Sequence, residues 1–180
     1  MNSAIFLDRD GVVNYSIIRE QKPYAPICLD KLKIIPEIKR VINFFKLKHF
    51  KIFVITNQPD VSRGKVTKDE VEKINASILS QLSIDEIFTC YHDNIDQCEC
   101  RKPKPGAFIT LSQKYNIDLS KSIMVGDRAK DIEAAKNAHC PSVFIDYGYN
   151  EPKPVDQNYT VDSVERLLAC LEKHFESSCT

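Results

Sequence analysis

Short apolar runs alternate with amphipathic segments along this chain, and this alternation restricts the folds that the chain can adopt. The runs cover residues 4–8, 51–56, 86–91, 122–127 and 142–146. Continuous apolar runs of this length are typical of strands that are buried on both faces. Strands that alternate with helices indicate βαβ units. We therefore predict an α/β fold in which helices flank a parallel, Rossmann-type sheet.

The segments between these runs carry the signals of helices. Apolar residues recur at helical spacing after Pro36, and Thr67 and Glu70 form a capping-box pattern before a second apolar stripe. We predict helices after Pro36, after Thr67, from Pro105 to about residue 115, from Ala129 to about residue 137, and from Asp162 onward. Residues 147–159, which contain glycine and proline, are expected to form a loop before the last helix.

Size and charge set broad limits on function. The chain has 180 residues, which suits one domain over residues 1–180, and it carries 25 Lys+Arg and 25 Asp+Glu. This balance gives no basic field for nucleic acid or an anionic membrane. No apolar run approaches the length of a membrane span or of a signal-peptide core. We expect a cytoplasmic monomer with a small-molecule substrate and without nucleic-acid or membrane partners.

Acidic and hydroxyl side chains stand where the predicted strands end. Asp8 and Asp10 follow the first strand, Thr56 ends the second, and Asp127 ends the fourth, with Asp131 one helical turn later. Carboxyl ends of parallel strands share one edge of a sheet, so these acids should converge there. Clustered acids are costly without a cation, and oxygen ligands suit Mg²⁺. The alternative is that Asp8 and Asp10 only cap a turn.

This set of residues suits phosphoryl transfer. An aspartate can attack phosphorus and form an aspartyl-phosphate, and a second carboxylate can protonate the leaving oxygen and then activate water. Thr56 could donate a hydrogen bond to the phosphoryl group, and a lysine is needed to balance the anions. Arg9 lies between Asp8 and Asp10 in the sequence, and we expect its side chain to point away from them.

A compact group of soft ligands follows the third strand. Cys90, His92, Cys98 and Cys100 form the pattern C-x-H-x₅-C-x-C, which supplies a Cys₃His complement for structural zinc. Free thiols at a strand end are the alternative. A disulfide is the weakest explanation, because the seven cysteines are odd in number and the expected compartment is reducing.

Four stretches of the chain, LDRDG, ITNQ, RKPKPG and VGDRAKD, resemble in order the four motifs of the haloacid-dehalogenase-like (HAD) phosphohydrolases. The resemblance implies that Asp8 is the nucleophile and that Asp10 is the general acid/base and offers its main-chain carbonyl to Mg²⁺. It implies that Thr56 binds phosphate, Lys102 balances charge and Asp127 completes the Mg²⁺ site. Since 45 residues separate Asp10 from Thr56 and 45 separate Thr56 from Lys102, no separate cap domain is expected.

The Cys/His pattern just before Arg-Lys-Pro resembles that of two capless groups in this family. These are the D-glycero-D-manno-heptose 1,7-bisphosphate phosphatases and the histidinol-phosphate phosphatases. In that case a structural zinc loop, at about residues 90–100, presents Arg101 and Lys102 to the substrate. The stretch ITNQPDVSRG resembles the heptose enzymes. The resemblance implies substrate contacts from Asn57 and Arg63 in this stretch and from Arg101 beside the zinc loop.

The substrate expected from this resemblance is a heptose bisphosphate of surface-polysaccharide (lipopolysaccharide) synthesis, cleaved at the 7-phosphate. Histidinol phosphate is the alternative substrate. Less favoured are a polynucleotide 3′-phosphatase, because the chain has no basic stripe, and a catalytically inactive, zinc-stabilised binding module, because the set of motif residues is intact.

Overall fold

A parallel sheet forms the centre of the protein. The computed structural model describes residues 1–177. Its strands are β1 (Ala4–Leu7), β2 (Ile17–Arg19), β3 (Lys22–Tyr24), β4 (Lys51–Asn57), β5 (Glu86–Cys90), β6 (Ile123–Gly126), β7 (Ser142–Ile145) and β8 (Tyr159–Val161). Six of them form one sheet in the order β5-β4-β1-β6-β7-β8, and every neighbouring pair in it is parallel. The predicted fold class of parallel sheet and flanking helices is confirmed.

Helices cover both faces of this sheet. They are α1 (Pro36–Leu47), α2 (Lys68–Gln81), α3 (Gly106–Tyr115), α4 (Ala129–Asn137) and α5 (Leu167–Ser177). The predicted cap of α2 is present, because the Thr67 side chain accepts a hydrogen bond from the Glu70 amide. The last helix begins later than predicted, since the 3₁₀ turn Val164–Arg166 precedes α5. Within residues 1–177 no helix combines the length and the apolar character needed to span a bilayer.

Alternate side chains of each strand enter different halves of the core. Ile5 and Leu7 of β1 pack in the cluster that contains the buried residues of α1 and α5. Ala4 and Phe6 pack in the cluster that contains the buried residues of α3. Because β1 lies between β4 and β6, its four residues are all completely buried. The position of the next residue, Asp8, is therefore fixed by packing on both sides of the sheet.

Three short strands were not predicted from the sequence. β2 and β3 form an antiparallel hairpin. β8 adds a sixth parallel strand, which begins at Tyr159, the last residue of the expected 147–159 loop. The hairpin turns at Glu20 and Gln21, which both have positive φ angles, 49° and 59°. Such turns usually carry glycine or asparagine, so the sequence lacks the usual hairpin signal. Three-residue strands also show too little alternation to identify.

Neither interval between the early strands holds a domain-sized insertion in the described residues. The hairpin β2–β3 and α1 lie between β1 and β4, and α2 lies between β4 and β5. This arrangement agrees with the expected absence of a separate cap. The single domain over 1–180 stays a prediction, and residues 178–180, including Cys179, lie outside the described part of the chain.

Candidate active site

The ends of four strands bring the predicted catalytic residues to one edge of the sheet. Asp8 follows β1, Thr56 lies near the end of β4, Asp127 follows β6, and Cys90 ends β5. The first three of these strands are neighbours, and the Asp8 amide donates a hydrogen bond of 2.9 Å to the carbonyl of Val125. The strand-end argument therefore places these residues correctly.

Three buried carboxylates, of Asp8, Asp127 and Asp131, form the core of the site. Each offers an oxygen, and these atoms lie within 4.8 Å of one another. Burial raises the pKa of Asp127 well above its ordinary value, and the charges of Asp8 and Asp131 act in the same direction. Neither oxygen of Asp127 makes a hydrogen bond of ordinary geometry with a described residue, and the hydroxyl of Tyr149, which lies nearby, acts to lower its pKa without reversing the rise. Unsatisfied, clustered and buried oxygens fit a hard divalent cation, which would supply the missing ligand contacts.

The carboxylate cluster contains one acid, Asp131, that was not among the predicted Mg²⁺ ligands. Asp131 belongs to the carboxylate cluster, whereas the carboxylate of Asp10 does not. Only the main-chain carbonyl of Asp10 therefore remains for the metal contact expected of this residue, and that contact stays a prediction. Asp131 lies on α4, one helical turn after Asp127. The spacing of these two acids in VGDRAKD is therefore the sequence signal that indicates their proximity.

Gly11 is required by the close approach of the acid cluster. It has φ +93°, and a Cβ atom at this position would lie 1.9 Å from Oδ2 of Asp127. No side chain fits there unless the carboxylate moves. The turn after β1 and the carboxylate after β6 are consequently packed directly against each other.

Asp10 is held by polar side chains outside the carboxylate cluster. Its carboxylate accepts hydrogen bonds from Arg9 (3.1 and 3.2 Å), Asn14 (3.0 Å) and Gln58 (2.8 Å). Burial acts to raise the pKa of Asp10, but the charge of Arg9 and these hydrogen bonds outweigh it and lower the pKa. Asp10 is therefore ionised in the free protein.

The expectation that Arg9 points away from both acids is wrong. Arg9 is completely buried and pairs with Asp10, and its third contact is Oδ1 of Asn75 on α2, at 3.1 Å. The regular strand ends at Leu7, and residues 9–13 form a turn. The alternation of side chains on which the expectation rested has stopped before Arg9.

Thr56 and Asp10 share one hydrogen-bond donor, which the sequence did not single out. The side-chain amide of Gln58 donates to Oγ1 of Thr56 and to Oδ2 of Asp10, both at 2.8 Å. Thr56 and Gln58 are both buried. Gln58 thus fixes the hydroxyl expected to bind phosphate relative to the expected acid/base. The ITNQ stretch contains it, but only the loop geometry reveals this contact.

Lys102 is the buried cation of the site. Its Nζ lies 2.8 Å from Asp8 Oδ1, 2.7 Å from Asp131 Oδ1 and 2.7 Å from the carbonyl of Ile55. Burial alone would lower the pKa of Lys102, but the charges of Asp131 and Asp8 raise it above its ordinary value. Lys102 is therefore protonated at neutral pH and stabilises two of the three clustered carboxylates.

Asn57 fixes the main chain that carries Lys102. Its side chain donates to the Lys102 carbonyl (2.9 Å) and accepts from the Lys102 amide (3.1 Å). This pair makes Asn57 a positioning residue for Lys102, the lysine predicted to be catalytic. The direct substrate contact expected of Asn57 stays a prediction, which would use the second N–H of its amide.

The four predicted soft ligands converge at a second cluster. Cys100 Sγ lies 3.3 Å from Cys90 Sγ, 3.4 Å from His92 Nδ1 and 3.6 Å from Cys98 Sγ. Tetrahedral zinc with Zn–S bonds of about 2.3 Å needs sulfur atoms roughly 3.8 Å apart, so these separations fit a Cys₃His metal site. All three cysteines are free, and their sulfur atoms are too far apart for a disulfide.

A pocket of about 330 Å³ lies beside Asp8, and four cations line it. Two of them, Arg63 and Arg101, are both predicted to contact substrate, and both contact Asp93. The other two are Arg128 and Lys130, at the start of α4. Arg128 pairs with Glu151, whereas Lys130 has no hydrogen bond or ion pair with another described residue. The sequence did not single out Lys130, because a lysine inside a helix gives no signal of its own.

Residues of the unpredicted hairpin form the remaining rim of this pocket. Lys22, Pro23 and Tyr24 of β3 line it together with the catalytic residues. The pocket has no separate cap domain over it in the described residues, so this hairpin and the loop that contains the Cys/His cluster shape its entrance.

Comparison with known proteins agrees with this geometry. The family model described as "haloacid dehalogenase-like hydrolase" matches residues 4–139. The chain is 34% identical over 150 residues to a D-glycero-beta-D-manno-heptose-1,7-bisphosphate 7-phosphatase of Rhodopseudomonas palustris, covering 77% of this chain and 80% of that protein. It is 31% identical over 147 residues to the corresponding alpha-anomer phosphatase of Campylobacter jejuni, covering 79% and 81%.

Among solved structures, the chain is similar to D,D-heptose 1,7-bisphosphate phosphatase from B. bronchiseptica, which was determined in complex with magnesium and phosphate. The TM-score is 0.80 at 25% identity, over 96% of this chain and 99% of that one. The predicted type of enzyme, a phosphatase with this fold, is confirmed. Because the family model matches residues 4–139 and these relatives match most of the chain, the chain belongs to the haloacid dehalogenase-like hydrolase family.

Proposed function

We propose that the protein is a Mg²⁺-dependent phosphomonoester hydrolase that removes the 7-phosphate of D-glycero-D-manno-heptose 1,7-bisphosphate through an aspartyl-phosphate on Asp8. One observation supports the proposed reaction most directly. Lys102 is buried in contact with both Asp8 and Asp131, beside the unsatisfied oxygens of Asp127. The choice of substrate rests on the curated relatives, which are heptose-1,7-bisphosphate 7-phosphatases and match over three quarters or more of this chain.

In the first step, an oxygen of Asp8 attacks phosphorus while the bond from phosphorus to the sugar oxygen breaks. Lys102 stays beside Asp8, which keeps the nucleophile oriented and offsets negative charge as the phosphoryl group arrives. The Asp8 and Asp127 carboxylates would hold Mg²⁺, which would supply positive charge to offset the negative charge of the phosphoryl oxygens. Thr56 donates a hydrogen bond from its hydroxyl to one of those oxygens.

Asp10 serves both steps. It gives a proton to the departing sugar oxygen, and in the second step it takes a proton from the water that attacks the aspartyl-phosphate and releases inorganic phosphate. The contacts with Arg9, Asn14 and Gln58 favour its ionised form, which suits the second step. A phosphate dianion beside Asp10 would raise its pKa, so substrate binding itself favours the protonated form needed first.

Arg63 and Arg101 are assigned to the second phosphate of the substrate. Both line the pocket that contains Asp8, and arginine suits bidentate recognition of phosphate. The Cys/His cluster is assigned to structural Zn²⁺, because its four ligands leave no open position for substrate. Cytoplasmic location and a monomeric state remain predictions.

A substrate screen combined with one substitution tests this proposal. We expect purified enzyme with Mg²⁺ to release one phosphate from the heptose bisphosphate, tested as both anomers, faster than from histidinol phosphate or a nucleotide 3′-phosphate. Asp8→Asn should lower turnover by more than about 1,000-fold, because the amide is not a nucleophile toward phosphorus. The matched control Asp69→Asn changes an exposed acid on α2 and should leave turnover unchanged. Near-wild-type turnover by Asp8→Asn would remove Asp8 as the nucleophile.

A further inference from the structure

Two loops at the mouth of the pocket are joined by side-chain contacts to Asp93 and Asp96, two acids that have no role in the proposed chemistry. One loop follows β4 and carries Ser62 and Arg63, and the other contains the Cys/His cluster and carries Asp93 and Asp96. The guanidinium of Arg63 donates twice to the Asp93 carboxylate, from Nε to Oδ2 at 2.6 Å and from a terminal nitrogen to Oδ1 at 2.8 Å. Ser62 donates to Asp96 at 2.8 Å. A two-point pair of this kind fixes orientation as well as distance.

Asp93 is itself held in place. Its Oδ1 accepts a hydrogen bond from the Asn94 amide (2.8 Å), and its own amide donates to Asp96 Oδ2 (2.7 Å), so it caps the short helix Asn94–Asp96. It also follows the cluster residue His92 directly in the chain. The carboxylate is therefore anchored to the loop that the metal site closes.

The second predicted substrate-binding arginine, Arg101, depends on the same loop. It donates to Asn94 Oδ1 at 2.8 Å and to the carbonyl of His92 at 3.2 Å, and a terminal nitrogen lies 3.6 Å from Asp93 Oδ1. One carboxylate thus lies against both guanidinium groups. Without it, the repulsion between these two like charges would not be offset.

Neither arginine uses up its donors in these contacts. A guanidinium has five N–H groups. Arg63 uses three of them, two on Asp93 and one on Asp60, and Arg101 uses two, on Asn94 and His92. Both side chains line the pocket. Each can therefore still donate to an anion there, and its conformational entropy has already been lost before the substrate binds.

We propose that Asp93 is a positioning residue that fixes Arg63 and Arg101 as a pair for the non-reacting phosphate of the substrate. This inference rests on the proposed bisphosphate substrate. It connects the Cys/His cluster to specificity, because the cluster holds the loop that carries Asp93, and it gives Asp93 no part in phosphoryl transfer.

Steady-state kinetics of Asp93→Asn tests this inference. On the heptose bisphosphate we expect KM to rise roughly 5- to 100-fold, because two long side chains must now be ordered on binding, while kcat stays within about threefold. With p-nitrophenyl phosphate, which has no second phosphate, kcat/KM should stay within about threefold of wild type. Zinc content by elemental analysis and the thermal midpoint should match those of the wild type.

Three further variants complete the design. Glu99→Gln makes the same change at an exposed acid of the same loop and should behave as wild type. Asp93→Glu keeps the charge, should raise KM less than Asp93→Asn, and carries the test if Asp93→Asn does not fold. In the Arg63→Ala background, the additional Asp93→Asn change should raise KM for the heptose bisphosphate much less than it does in wild type. The reason is that part of the effect of Asp93 depends on its contact with Arg63.

Several outcomes would overturn the inference. These are equal losses on both substrates, an unchanged KM, or a lower KM, which would mean that Asp93 competes with phosphate for the arginines. A selective rise in KM for Lys130→Met but not for Asp93→Asn would place the second phosphate beside Lys130 instead. If wild type leaves the heptose bisphosphate intact, the proposed substrate fails by itself. Asp93 is then tested with fructose 1,6-bisphosphate against fructose 6-phosphate.

Discussion

Gly11→Ala offers a sharp test of the buried acid cluster. The new methyl carbon would lie 1.9 Å from Oδ2 and 2.5 Å from Cγ of Asp127. Because Asp127 is only 2% exposed, its carboxylate must shift within the buried acid cluster to relieve this clash. We expect the variant to fold with the Asp127 carboxylate displaced and to lose most of its activity.

Two separate costs determine the size of the effect. The first cost is conformational. The backbone at Gly11 has φ +93°, and a side chain at such a position lowers the free energy of unfolding by about 1–2 kcal/mol. For a domain of this size, that corresponds to a fall in thermal midpoint of about 2–8 °C. The second cost is the clash, since Oδ2 must move by about 1.5 Å to restore a contact of 3.4 Å. A misplacement of about 1 Å can cost roughly 100-fold in rate, so we expect turnover to fall by at least that factor.

The control is Gly64→Ala, which separates the two costs. Gly64 also has a positive φ, +69°, but no atom lies within 4 Å of the position that its Cβ would take. It should show the fall in thermal midpoint with normal turnover of p-nitrophenyl phosphate. Turnover and the Mg²⁺ concentration for half-maximal activity are measured for both variants. If Gly11→Ala retained turnover within threefold of Gly64→Ala, the close packing of Asp127 against the first motif would have no catalytic importance.

Three further predictions concern stability, the catalytic lysine and the Cys/His cluster. Burial acts to raise the pKa of Asp85, but hydrogen bonds from the Ile52 amide, Lys46 and Lys51 lower it overall. Its stabilising contribution should therefore be present above the unfolded-state pKa of about 3.9 and be lost as the pH falls through the lower folded-state value. Asp85→Asn should cost about 1–2 kcal/mol in urea unfolding at pH 7, and the difference from wild type should narrow between pH 4 and pH 3; a constant difference would contradict this. Asn57→Ala leaves the amide and carbonyl of Lys102 unpaired, so we expect kcat for p-nitrophenyl phosphate to fall about 10- to 100-fold, whereas an unchanged kcat would show that the loop holds Lys102 without Asn57. Elemental analysis should find about one zinc per chain, and its removal by a strong chelator should lower the thermal midpoint, whereas equal stability without zinc would make the cluster incidental.

The sequence predicts the sheet and the centre of the site because both follow from regular geometry. Buried strands are recognisable as apolar runs, and parallel strands end at the same edge, which brings Asp8, Thr56 and Asp127 together. The Cys/His cluster is predictable for a different reason: its four ligands lie within eleven consecutive residues, 90–100, so their spacing alone restricts their geometry.

What the sequence does not predict depends on the paths of loops. The contact of Arg9 with Asp10 arises because the chain leaves the extended conformation after Leu7. The pairs of Asn57 with Lys102 and of Arg63 with Asp93 join loops that are 45 and 30 residues apart in sequence. No periodic pattern encodes such contacts, and the short hairpin that borders the pocket lacks the usual turn residues.

The central place of β1 has a consequence for biosynthesis. Ala4 pairs with Lys51 and Ile5 with Ile123, so β1 is translated before both of its neighbours, whose paired residues follow 47 and 118 positions later. At about 5–20 residues per second, the ribosome needs roughly 6–24 s to supply the second neighbour. During that interval one edge of an entirely apolar strand is unpaired in the nascent chain. Chaperones that bind short hydrophobic segments should therefore protect the amino terminus, and a chain truncated before residue 123 should aggregate rather than form a partial enzyme.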